Sequence, residues 1–173
     1  MESNIIGACD RGGISIMFKV QRNFMEDMSD SIFDKQLIKS IDRHVEFFTR
    51  GQTPDTVTET NMKDPGVFQD MLFKIVAIQF RLVGLEGAEL LKYEDYFGLE
   101  FMITDRSYLF IGVSDMDLIG RRYFERKLLI PITISPYENF KVVLHVGCEP
   151  KDFDIVKGQV SLVGFKKLVI ERG

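Results

Sequence analysis

The chain has 173 residues, 45% of them hydrophobic and 28% charged, with a mean hydropathy of zero and a net charge of −4. That length suits one globular domain able to bury roughly 70% of its unfolded surface, and fifteen Phe among 12% aromatic residues exclude wholesale disorder. With acidic residues in excess there is no surplus positive charge to neutralise a phosphate backbone, so direct nucleic-acid binding is not expected.

In chain order, residues 1–30 read as an unpatterned N-terminal arm and 31–173 as a single domain. In the arm, Cys9 to Gly13 is a turn and Ile14 to Val20 a possible short strand. The start, Met1 to Asn4, has no basic region, and the apolar run behind it stops at Gly12-Gly13, so no signal peptide is expected. No apolar stretch has the length to span a bilayer as a helix, and synthesis in a cytoplasm is the expectation. Asp30 or Ser31 can cap a helix, and Ile32, Phe33, Leu37, Ile38 and Ile41 recur at helical spacing, which predicts an amphipathic helix from about Ser31 to Arg43. His44 to Arg50 fits either the end of that helix or a strand, and Gly51 to Gly66, with Pro54 and Pro65, is a loop.

Beyond Gly66 the pattern is that of strands. Leu72 to Leu85 alternates but exceeds a typical strand, so a bend or bulge is expected near Ala77. Ala88 to Tyr96 fits a short helix. Strands follow at Leu99–Thr104, Ser107–Val113, Leu128–Ile134, Phe140–Val146 and Val160–Ile170, parted by Thr104-Asp105-Arg106, Ser135 to Asn139, Cys148-Glu149-Pro150 and Lys157-Gly158. About seven strands at hairpin spacing, without long helices between them, predict a mainly β chain folded as an antiparallel sandwich or barrel with one or two short helices.

The residues offer little for catalysis. His44 and His145 are the two histidines, a hundred residues apart, and cannot supply the several-histidine metal shell of a β-barrel enzyme by the usual spacing. His145 falls on the outward face of its strand, and His44 reads as a capping or helix-dipole group. No GxSxG elbow or phosphate loop occurs, and neither Cys9 nor Cys148 carries the marks of an activated thiolate. Ser114-Asp115-Met116-Asp117 begins like a calcium loop but lacks the remaining ligands. Glu94-Asp95 fits the exposed side of a short helix, and the pairs Arg121-Arg122 and Lys166-Lys167 fit sheet-edge gatekeepers. No catalytic set, metal or cofactor is expected.

Three segments carry a resemblance. Leu129 to Leu144 reads as strand, proline-marked turn, strand; Val160 to Ile170 is a long strand with Gly164 at its centre; and Phe47 to Pro54 leads through Thr60-Asn61-Met62 to Phe68 and the strand Phe73–Leu82. In this order, over about Val45 to Ile170, the chain resembles the single-jelly-roll capsid proteins of tailless icosahedral viruses, particularly bacteriophages.

The resemblance implies an eight-stranded jelly roll that meets copies of itself, and other capsid proteins, in a virion shell. It also implies an arm that orders against a neighbour, and, because the arm is not basic, an internal membrane or a separate packaging partner. Subunit contacts would then come from apolar and aromatic loop residues, with Phe68, Tyr123, Phe124 and Tyr137 as the candidates beside Met62 and Val67. The alternative class is a carbohydrate- or ligand-binding module, which would need an exposed aromatic platform drawn from Tyr93, Tyr96 and Tyr108.

Overall fold

The computed structural model describes residues 28–39, 42–49, 58–63, 66–147 and 155–169. Expectations on Cys9, the possible strand Ile14–Val20, Ile41, most of the Gly51–Gly66 loop and Cys148 fall outside them. In chain order the elements are β1 (Met28–Lys39), β2 (His44–Phe47), β3 (Glu59–Thr60), β4 (Met71–Val83), α1 (Ala88–Leu91), a 3-10 turn (Glu94–Tyr96), β5 (Phe97–Ile103), β6 (Arg106–Gly112), a second 3-10 turn (Val113–Asp115), β7 (Asp117–Ile119), β8 (Tyr123–Ile134), β9 (Phe140–Val146) and β10 (Ile155–Leu168).

Two sheets face each other. One runs β3-β1-β10-β4-β8-β7 and the other β2-β9-β5-β6, with antiparallel neighbours throughout. Without the short strands β3 and β7, eight strands remain, and successive ones alternate between the sheets except at the β5–β6 hairpin. That order of two interleaved Greek keys is the jelly-roll β-sandwich. The hairpin turns at Thr104 and Asp105, with φ of 50° and 58°, the left-handed pair that a two-residue type I′ turn requires.

The helix predicted over Ser31–Arg43 is not formed: Met28–Lys39 is a strand, in register with β10 from Met28↔Lys166 to Lys39↔Ile155. Ile32 and Ile38 point into the core, and the two inward positions between them hold Asp34 and Gln36. Those polar residues hide the period of two and leave an apolar set that also fits a helix. His44 accordingly sits on β2, not at a helix end.

A cluster of polar contacts secures this corner of the sandwich. Asp34 Oδ2 accepts the Phe48 N–H at 2.7 Å and Gln36 Nε2 at 3.0 Å, while Thr58 Oγ1 donates to Gln36 Oε1 at 3.1 Å. Asn61 extends the short β3 ladder with its side chain, accepting the Phe33 N–H at 2.8 Å and donating to the Ser31 carbonyl at 2.7 Å. Phe48, buried at a φ of 65°, is held in that conformation by its bond to Asp34 and by its ring against Phe140, centroids 5.5 Å apart.

The bulge expected near Ala77 is present. Towards β8, β4 changes register between Ile75 and Ala77; towards β10 the shift falls at Val163/Gly164. Phe73 and Ile75 face inward before it, and Ile78, Phe80 and Leu82 after it. A Cβ on Gly164 would collide with the Lys74 carbonyl, so the glycine at the centre of β10 admits the bulge. The core these strands enclose is one cluster rich in phenylalanine, including Phe47, Phe73, Phe80, Phe97, Phe101, Phe124 and Phe140.

Candidate assembly surface

β8 departs most from a regular strand. Its Lys127 pairs with Ala77 and its Ile132 with Ile75, so Leu128 to Pro131 stand opposite the single residue Val76. Pro131 has no N–H to give to a ladder, which confines it to an edge or a bulge. The extra chain is pushed outward, and Leu129 is 99% and Ile130 81% exposed. Burying two such side chains is worth about 1.5–3 kcal/mol each, so their display to water is a standing cost for an isolated subunit.

The bulge lies beside β6, the edge strand of the other sheet, on whose outer side no strand pairs among the described residues. β6 carries exposed aromatics at Tyr108 and Phe110. Gly98 on β5 makes room for the Phe110 ring, because a Cβ there would lie 2.7 Å from its Cζ. Between β6 and β8 runs a groove of about 680 Å³ lined by Tyr108, Phe110, Leu128, Leu129, Ile130 and Ile132 among others. Its polar rim includes Asp115, Lys127 and Arg126, whose Nη1 donates to the Asp115 carbonyl at 3.2 Å. An unpaired strand edge next to an apolar ledge with a charged rim is the anatomy of a protein–protein contact.

The four contact candidates from the sequence do not form one patch. Tyr137 is 68% exposed at the β8–β9 turn, where its N–H donates to the Phe68 carbonyl. Tyr123 is half-buried at the opposite end of β8. Two expectations of exposure are corrected. Phe124 is 1% exposed, pointing into the core from β8, where it pairs with Phe80. Phe68 is buried, its ring stacked on Phe140 at 5.6 Å and near Phe73 at 5.3 Å. The ledge residues escaped the sequence reading, although Pro131 inside an apolar run and the unbroken apolar Tyr108 to Ile111 were signs of a bulge and of an edge with two apolar faces.

Away from the β6 aromatics, the outer face of the β2-β9-β5-β6 sheet is largely polar. Lys141 reaches Asp105 at 3.2 Å and Glu46 at 3.4 Å, and the hydrogen bond to Asp105 above all raises its pKa. Hydrogen bonds from Ser107 and then from His145 hold the Glu100 carboxyl below its usual range. A cleft of about 460 Å³ at one end of this sheet is lined by Phe48, Met102, Asp105, Asn139 and Lys141 among others. Among the described residues no three His, Cys, Asp or Glu side chains converge as a metal site, and Asp115 and Asp117 are separately exposed. Tyr93 and Tyr96 pack on the core, leaving Tyr108 exposed without the other two, so the three do not make a sugar platform. Lys166 and Lys167 lie on β10, an interior strand, where Lys166 pairs with Asp30 of β1, so the gatekeeper expectation does not hold for them. No helix among the described residues is long and apolar enough to cross a membrane.

No family model matches the chain, and no curated protein does. Among solved structures it is similar to a chain from the acidic stable capsid structure of Helicobacter pylori bacteriophage KHP30, at 10% identity and a TM-score of 0.40, covering 85% of this chain and 98% of that one. The jelly-roll order stands on the strand pairing itself.

Proposed function

We propose that the chain is a structural virion protein, a jelly-roll subunit that self-assembles with copies of itself, and with other capsid proteins, into an icosahedral shell. The observation that carries this reading is the ledge: two nearly bare aliphatic side chains, Leu129 and Ile130, beside the aromatic edge strand β6. A second subunit that covers the ledge and adds to the open edge removes both liabilities at once, within a standard contact of about 800 Å² per partner. Tyr137 belongs to a separate contact at the β8–β9 turn, as closed symmetry with several neighbours requires. The subunit is made in a host cytoplasm and resides in the virion. It performs no catalysis, binds no cofactor and leaves nucleic acid to a lining membrane or another protein, consistent with its charge of −4.

The test is light scattering and electron microscopy on the purified chain and on the double variant Leu129→Asp/Ile130→Asp. Wild type should form large closed particles or their precursors, and the variant should stay a folded monomer with an unchanged circular dichroism spectrum, since both side chains lie outside the core. Assembly unaffected by the two charges, or a wild-type chain that is monomeric at every concentration, sinks the proposal.

A further inference from the structure

The two histidines of the chain, 101 residues apart, meet on the outer face of the smaller sheet. His44 on β2 is directly opposite His145 on β9. Next to them the Val146 N–H donates to the Arg43 carbonyl at 2.9 Å, which makes His44/His145 a non-hydrogen-bonded pair, the type whose side chains approach most closely. Their Nδ1 atoms are 3.0 Å apart. On the other side of His145, Nε2 lies 2.8 Å from Oε2 of Glu100 on β5. A carboxylate can only accept, so Nε2 carries the proton and the lone pair of His145 Nδ1 is turned towards His44. The Phe110 ring, with its centroid 5.7 Å from that of His145, borders the imidazole on the third side.

We propose that His44 and His145 form a bidentate site for a divalent transition metal, with Glu100 as the positioning residue behind His145. A carboxylate that fixes the tautomer and heading of a ligating imidazole is the usual outer partner of a histidine–metal bond. At metal–nitrogen distances of about 2.0–2.1 Å, nitrogens 3.0 Å apart subtend about 90° at the ion. That bite suits tetragonal Cu²⁺ or Ni²⁺ better than a tetrahedral ion. On binding, the proton shared between the two Nδ1 atoms moves to Nε2 of His44, so both imidazoles ligate as neutral groups. Water, or a side chain of a neighbouring subunit, takes the remaining positions, because His44 is exposed. The ion would pin the four-residue edge strand β2 to β9, and the site does not depend on the assembly proposal.

The experiment is a titration of the full chain with NiCl₂ and CuSO₄ by calorimetry, with electron paramagnetic resonance on the Cu²⁺ form. One ion per chain and coupling to two imidazole nitrogens are expected. His44→Asn and His145→Asn should each weaken binding at least tenfold and reduce the coupling to one nitrogen. Glu100→Gln should weaken it about tenfold with both nitrogens retained. His44 is exposed, so His44→Asn keeps the fold and carries the test if His145→Asn does not fold. Equal affinity of wild type and His44→Asn, or a Cu²⁺ spectrum without two coupled nitrogens, overturns the site; unchanged affinity in Glu100→Gln overturns the role of the carboxylate.

Discussion

Asp34 is held out of solvent on the inner face of β1, where Oδ2 accepts hydrogen bonds from the Phe48 N–H and from Gln36. Burial raises its pKa above the ordinary value of 3.8, against the opposing pull of the Phe48, Gln36 and Lys35 hydrogen bonds. The folded state therefore holds this proton more tightly than the unfolded state does. The associated stability is fully present below the unfolded pKa and is lost as pH rises through the raised one, at up to about 1.4 kcal/mol per pH unit. Asp34→Asn keeps an acceptor for the Phe48 N–H and cannot ionise. Its melting temperature relative to wild type should climb as pH rises above about 4; a difference that stays constant as pH rises would show that Asp34 does not carry a raised pKa. Phe124 makes a different case. It was expected as a loop residue available for subunit contact, but the strand begins at Tyr123 and its inward parity falls on Phe124. Phe124→Ala should cost about 3–5 kcal/mol in denaturant titration, whereas Tyr137→Ala at the exposed turn should change stability by less than about 0.5 kcal/mol. Residue-level exposure was the least legible feature, because one residue of phase in a strand decides which face a side chain takes.

At the scale of elements, legibility followed the purity of the alternation. β9 was read to the residue, since Phe140, Val142, Leu144 and Val146 alternate with Lys141 and His145 and only Val143 interrupts the pattern. β1 was read as a helix because its inward face spends two of its positions on Asp34 and Gln36, whose partners, Phe48 and Thr58, come from later in the chain. No local pattern contains that information. The bulge in β4 was legible from excess length, but the extra chain in β8 and the register shift against β10 are set by pairing between strands distant in sequence. Gly164 concentrates this dependence. Gly164→Ala should either flatten the bulge or displace Lys74, and the resulting loss of about 1–3 kcal/mol is to be read as a lower urea midpoint. Gly84→Ala is the control, because a Cβ there meets nothing within 4 Å, although its φ of +95° adds a smaller backbone penalty.

For the whole molecule, strand count and spacing announced an antiparallel sandwich, and the strand order realises it as interleaved Greek keys. The surface through which it would act was hidden, since the ledge comes from a bulge and an edge strand in different sheets. The central place of β10 has a consequence for how the molecule comes into being. This strand comes last in sequence among the described strands, yet it fills the slot between β1 and β4, and both of its long ladders join segments far apart in sequence. Until it emerges, β1 has no interior neighbour and β4 offers an open flank, so the nascent chain carries the larger sheet split in two. Completion of the larger sheet therefore waits for β10 and is made slow by its non-local closure.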